Sequence, residues 1–303
     1  MRLDELSLPA LKRQLRGSGI ALQTGPVLTR LRSPFDHLAD GLATLYGEYP
    51  LGDPDGFCDF DCEIGSPGGL RRWFAPQAVF RIQGSTPFLP LARHQAVAMM
   101  EWGLNWCVSS HCHQYLIVHA AVIAHGERAM ILPAPPGSGK STLCAALVRR
   151  GWRLLSDELA LIDMSSGELV ALPRPVSLKN QSIAVIQAFA PEAVFGPVTH
   201  DTAKGTVAHM RAPSDSVARA HERARLSWLV FPKYQAQSAV QIEPLSNGAA
   251  FMALAQNSFN YHVHGSRGFD MLTGLVERAQ CLRFQYSSLD AAVDYFAGLA
   301  ASS

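Results

Sequence analysis

The run Met130–Glu158, MILPAPPGSGKSTLCAALVRRGWRLLSDE, carries the residue types that phosphate chemistry needs, at spacings that could assemble them. Ala134–Ser141 matches the pattern G-x-x-x-x-G-K-[ST] everywhere except its first position, where alanine replaces glycine. Gly137 and Gly139 let the backbone curl, so that N–H groups from Gly137, Ser138, Gly139 and the following Lys140, Ser141 and Thr142 converge on an anion. Lys140 would reach the outer phosphates of ATP, and the Ser141 hydroxyl would sit on a bridging Mg2+ ion. Pro135 and Pro136 have no N–H to offer and stiffen the loop's entry instead. A Gly/Ser run could be an ordinary turn. Placed between an apolar strand and an amphipathic helix, it reads instead as a nucleotide site.

The helix is expected over Thr142–Arg150, closed by Gly151 after two arginines that suit a helix C-terminus. Arg153-Leu154-Leu155 is then a short strand, and Ser156-Asp157-Glu158 stands at its end. A carboxylate there either holds magnesium or takes the proton of an attacking hydroxyl. Asp157 follows Lys140 by only seventeen positions, much closer than in most phosphate-loop proteins.

This spacing resembles the core of bacterial HPr kinase/phosphorylase and, more closely, the shorter HPr-kinase-related proteins, whose core is like that of phosphoenolpyruvate carboxykinases. The residues that carry the resemblance are His119, the loop Ala134–Ser141, the turn Arg150-Gly151-Trp152-Arg153-Leu154 and the acidic pair Asp157-Glu158. It is strong over about 50 residues, Leu116 to Asp163, and weak beyond them. It implies Asp157 as general base with His119 beside it, Lys140 on the phosphates, and Ser141, Asp157 and Glu158 around magnesium. It also implies a homo-oligomer. Thr142 stands where the HPr enzyme usually has glutamate, Glu158 replaces the second aspartate, and the downstream Glu-x-Arg-Gly segment is missing. Neither phosphorylase activity nor HPr as acceptor is therefore implied.

These residues need a scaffold, and 303 residues with 48% hydrophobic content suffice for one large domain or two ordinary ones. The formal charge of +1 gives no footprint for nucleic acid or a membrane surface, and no apolar run approaches a membrane span. Six scattered cysteines and a charged N-terminus place the chain in the reducing cytoplasm. Cys107, His111, Cys112 and His113 cluster, as do Asp59, Asp61 and Glu63 on one strand face; either set could bind metal. Buried thiols and a solvated sheet edge are the simpler readings.

Periodicity predicts a helix over 3–16, a strand pair over 19–32 turning at Thr24-Gly25-Pro26, a helix over 35–45, antiparallel strands over 57–90 and a helix over 92–108. Tyr115–Ala124 is an apolar strand carrying His119, and a turn at His125–Arg128 leads into Met130–Leu132. Residues 159–172 form a hairpin. Pro173–Asn180, with Arg174 and Lys179, reads as an exposed connector or a phosphate contact. His200–Pro213 is a basic loop, containing Lys204, that could close over a ligand or lie on the surface. Buried strands are expected at 226–232 and 239–244, then a helix at 248–259. Arg267, before a helix over 269–279, is a candidate transition-state cation. A strand over 281–286 and a helix over 288–299 end the chain.

The expected architecture is α/β: a mixed sheet in a carboxykinase-like phosphate-loop kinase core, residues 111–303, with a smaller N-terminal α+β part, residues 1–110. The expected activity is ATP- and Mg2+-dependent transfer of a γ-phosphoryl group to a hydroxyl, of Ser or Thr in a protein or peptide. The alternatives are a small-molecule hydroxyl acceptor, or a nucleotide-binding scaffold without chemistry, to which Ala134 and Pro136 point.

Overall fold

Alternating side chains build the first sheet. In VLTRLR (Val27–Arg32, β2) every second residue is buried, so the apolar set faces the core while Arg30 and Arg32 face out. It pairs antiparallel with β1 (Ile20–Thr24) across a turn in which Gly25 adopts φ +52°. β3 (Leu51–Gly52), β4 (Phe60–Gly65), β5 (Gln77–Ile82) and β6 (Leu91–Ala92) complete the order β3-β1-β2-β4-β5-β6. The computed structural model describes residues 1–68 and 76–301, so the expected strand content of Arg71–Phe74 lies outside the described residues. Helices α1 (Leu8–Arg16), α2 (Asp36–Tyr46) and α3 (Ala96–His111) accompany this sheet.

Strand β4 is interior, parallel to β2 and antiparallel to β5, so its acidic face is not the solvated edge expected. Arg32 and Arg30 hold Asp61 at 2.7 and 3.3 Å, Arg81 holds Glu63 at 2.9 Å, and Asp59 accepts from the Leu28 N–H.

The second sheet is mixed. Its strands are β7 (Tyr115–His125), β8 (Arg128–Pro133), β9 (Arg153–Ser156), β10 (Leu159–Asp163), β11 (Leu169–Val170), β15 (Arg225–Tyr234), β16 (Gln241–Pro244) and β17 (Gln280–Tyr286). The order is β11-β10-β7-β8-β15-β17-β16, with β9 also pairing with β7. Strands β8, β15 and β17 are mutually parallel, whereas β7 is antiparallel to β8, β9 and β10. β7 is buried on both faces, which is why its sequence is almost unbroken in apolar residues. Ile117, Ala121 and Ile123 join the cluster containing α4 (Lys140–Val148), and Leu116, Val118, Ala120 and Val122 join the one on the opposite face. Helix α4 starts two residues before its expected position because Gly139, at φ +86°, caps it.

A third sheet, β12-β14-β13, is made of β12 (Val176–Lys179), β13 (Thr199–Thr202) and β14 (Gly205–Met210). The stretch read as a mobile basic loop is thus largely a β-hairpin. Likewise β16, expected to be buried, is an exposed edge strand. The remaining helices are α5 (Gln181–Phe189), α6 (Ser214–Ala218), α7 (Asn247–Gln256), α8 (Tyr261–His264), α9 (Ser266–Arg278) and α10 (Leu289–Ala301). Among the described residues no helix is long and apolar enough to cross a membrane.

Pro173–Asn180 is not the exposed connector expected. Arg174 is buried and donates to the carboxylate and carbonyl of Glu101 and to Asn105 Oδ1, all on α3, and to the Tyr46 hydroxyl on α2. Tyr46 in turn donates to Glu101 Oε1 at 2.7 Å. This desolvated pair fastens the first sheet's helices to the second half of the chain. Removing one partner of a buried ion pair strands the other's charge. Arg174→Ala is therefore expected to cost about 3–5 kcal/mol in urea unfolding. Arg149→Ala, which breaks a surface pair with Glu192, should stay within about 0.5 kcal/mol.

Candidate active site

The loop after β8 begins at Ala134, which is buried, so the methyl that replaces the usual glycine packs into the protein rather than into the loop's mouth. Gly137 and Gly139 hold φ +84° and +86°, a left-handed geometry that side chains disfavour. The loop's carbonyls are tied back. Tyr234 N–H donates to Ser138 O at 2.8 Å and the Tyr286 hydroxyl to Gly139 O at 2.9 Å. These tyrosines end β15 and β17, the two strands parallel to β8, so strand order alone puts them under the loop. No side chain caps the N-terminus of α4, and the N–H groups of Lys140, Ser141 and Thr142 form its first turn.

Lys140 is buried and its Nζ lies 3.2 Å from His119 Nε2. Burial, then the Lys140 charge, pushes the His119 pKa down to about 4, so the ring is neutral and accepts from the ammonium. Burial also lowers the Lys140 pKa, opposed by Asp157 and Glu158. The β7–β10 register pairs His119 with Leu159, and Ala120 N–H donates to Glu158 O at 3.2 Å. That register sets the histidine beside the acidic pair, in the turn between β9 and β10.

Asp157 is buried, and its two oxygens are treated differently. Oδ2 accepts from Ser177 N–H at 2.9 Å, while Oδ1 has no hydrogen-bond partner. Burial raises its pKa to about 6, with Lys140 pulling the other way, Glu158 adding to the rise, and the Ser177 N–H and nearby Ser141 hydroxyl also lowering it. Glu158 accepts from Asn105 Nδ2 at 2.5 Å. Burial disfavours its charge, but Lys204, Lys179 and Lys140 together outweigh that, and its pKa falls below the ordinary range. Lys204 also stands 5.0 Å over the Trp102 ring.

The structure therefore gathers His119, Lys140, Ser141, Thr142, Asp157, Glu158, Lys179 and Lys204, with Gly137–Gly139 on the loop. Arg267 is not among them. It starts α9 and lines a separate hollow with Ser165, Ser166 and Gly167, at the opposite end of β10 from Glu158. The Cys107–His113 cluster is also dispersed: Cys107 Sγ faces Cys62 Sγ at 3.8 Å, and His111 Nδ1 bonds the Cys107 carbonyl. Sequence reading missed Tyr234, Tyr286, Asn105, Trp102 and Ser177. The tyrosines' position at strand ends is the one signal that would have pointed to any of them.

No protein-family model matches the chain, and no curated protein does. Among solved structures, the HPr(Ser) kinase/phosphatase from Coxiella burnetii aligns over 62% of this chain and 99% of its own, at 10% identity and a TM-score of 0.25. A superposition that loose carries no functional conclusion. The site is read from its own residues.

A Cβ at Gly139 would lie 2.5 Å from the Tyr286 hydroxyl oxygen and 2.9 Å from Tyr234 Cβ, whereas one at Gly137 would meet nothing within 4 Å. Gly139→Ala should thus destabilise the fold by about 1–3 kcal/mol, and Gly137→Ala by about 1 kcal/mol from backbone strain alone. Thermal unfolding of the two variants side by side checks the order.

Proposed function

We propose that this chain is an ATP- and magnesium-dependent kinase with a carboxykinase-like phosphate-loop core, which transfers the γ-phosphoryl group to a Ser or Thr hydroxyl of a protein or peptide. The observation that carries this reading is the buried carboxylate of Asp157. It has one unpaired oxygen and a pKa raised to about 6, and it faces the loop lysine from the next strand end. A general base works best when its pKa lies near the working pH, and burial brings Asp157 there.

In this reading the first-turn N–H groups of α4 and Lys140 bind the phosphates. His119, neutral and accepting from Lys140, aims the ammonium without adding charge. The Ser141 hydroxyl and the Glu158 carboxylate are oxygen donors that would suit a hard divalent cation, which leaves Asp157 Oδ1 for the acceptor's proton. Magnesium held by these residues would supply charge neutralisation to the bound phosphates. The acceptor oxygen bonds to the γ-phosphorus as the bond to the β–γ bridging oxygen breaks. Its proton passes to Asp157, and ADP leaves with a phosphomonoester as the other product. Positioning and charge stabilisation supply most of such catalysis.

The test is transfer of labelled γ-phosphate from ATP into a lysate of the source cells. Asp157→Asn and Lys140→Ala are each expected to reduce labelling by about 100-fold or more. Tight ATP binding with no label reaching any species would defeat the kinase reading and favour a nucleotide-binding scaffold.

The pH profile is a second check. Asp157 is ionised above about 6, so kcat/KM should climb with pH up to that point and then level off. His119, charged only below about 4, does not shape this limb. His119→Gln should therefore slow transfer and leave the limb near pH 6. A limb that vanished in this variant would assign it to the histidine.

A further inference from the structure

Beside Asp157 lies a narrow cleft of ≈ 10 Å³, room for about one water-sized group. Its lining joins the acidic pair and Ser177 to Trp102 and Asn105, which project from α3, outside the phosphate-loop core. Three of its polar atoms are buried without any hydrogen-bond partner: Trp102 Nε1, Ser177 Oγ and Asp157 Oδ1. Buried polar atoms left unpaired are rare and costly, and three around one small space call for an occupant. Their chemistry describes it. Trp102 offers a donor, Asp157 an acceptor and Ser177 either, so a single hydroxyl can donate to the carboxylate while accepting from the indole. Of the other polar walls, Asn105 is engaged with Glu158 and Arg174, Arg174 with Glu101 and Ser156 with the Leu159 N–H, and the buried His209 ring completes the lining.

We propose that this cleft is the acceptor port of the kinase, that Trp102 and Ser177 hold the acceptor hydroxyl against Asp157 Oδ1, and that the port takes a primary hydroxyl on an unbranched CH2 arm. The proposal rests on the kinase reading and adds the side from which the acceptor enters. Space for one water-sized group admits a hydroxymethyl end. It excludes the ring carbons that flank a sugar's secondary hydroxyl and, by excluding the extra methyl of threonine, narrows the Ser or Thr acceptor of the kinase reading to Ser. Asn105 lines the cleft, but both its amide atoms are already bonded, to Glu158 and to Arg174, so it serves as a positioning residue for Glu158, whose charge Lys204 and Lys179 also favour.

The experiment uses the full chain with Mg2+, labelled ATP and three acceptor probes: N-acetyl-L-serinamide, glycerol and N-acetyl-L-threoninamide. Both primary alcohols are expected to be phosphorylated with kcat/KM about tenfold or more above the threonine amide. A higher value for the serine amide identifies a peptide as the source of the hydroxyl, and a higher value for glycerol a small molecule. Trp102→Phe, which keeps the ring under Lys204, and Ser177→Ala, which keeps the N–H on Asp157, should each raise the acceptor KM about tenfold while the ATP Kd stays unchanged. Asn105→Ala should lower kcat and leave the acceptor KM in place. Equal use of the threonine amide, wild-type KM in both port variants, or ATP affinity falling in step with acceptor affinity would overturn the port. If the wild type neither transfers nor hydrolyses ATP, the kinase reading itself fails, and the port with it.

Discussion

Asp157 is taken out of water with only one of its two oxygens satisfied, and the groups around it depend on that imbalance. A buried carboxylate resists ionisation, which is why its pKa rises to about 6 despite a cation nearby. Lys140 is buried too, which lowers its pKa, and the neighbouring Asp157 and Glu158 oppose that fall. His119 completes the set as a neutral acceptor, because burial and the lysine together hold its pKa near 4. Each group would be unfavourable alone. Together they form a pocket of opposed charges in which one carboxylate oxygen of Asp157 has no hydrogen-bond partner.

The N-terminal half is part of that balance. Helix α3 supplies Glu101, which neutralises buried Arg174, and Asn105, which links Arg174 to Glu158. A buried ion pair adds little net stability over apolar packing, but it is intolerant of misplacement. Here that intolerance fixes how the first sheet's helices sit against the acidic turn. The tip of the β1–β2 turn adds a steric limit, since a Cβ at Gly25 would meet the Ala171 carbonyl oxygen at 2.1 Å.

The glycine loop after β8 is held by a different means. Its two left-handed glycines allow the curl, and the ends of β15 and β17 hold it in place through Tyr234 and Tyr286. Parallel pairing with β8 puts all three strand ends on one edge of the sheet, so the loop rests on a rigid base rather than on its own few contacts.

Local order was legible in the residues themselves. The Gly-Ser-Gly-Lys-Ser-Thr run between an apolar strand and a helix, the acidic pair seventeen positions on, the unbroken apolar character of β7 around His119 and the hairpin of β10 and β11 all follow from short-range pattern and turn chemistry. Where the reading failed, distant parts of the chain decide the outcome. Arg174 looks like a surface cation between prolines until Glu101, more than seventy positions away, desolvates and pairs it. Asp61 and Glu63 resemble a solvated edge until strand order surrounds them with arginines. Arg267 has suitable chemistry at the wrong end of a strand. The residues alone show which groups are available: a glycine loop with a lysine and a serine, a histidine and an acidic pair. Which of them meet, and that α3 rather than the core closes the cleft beside Asp157, was decided by tertiary structure, because burial and strand register belong to contacts between segments and leave no periodic trace in either one.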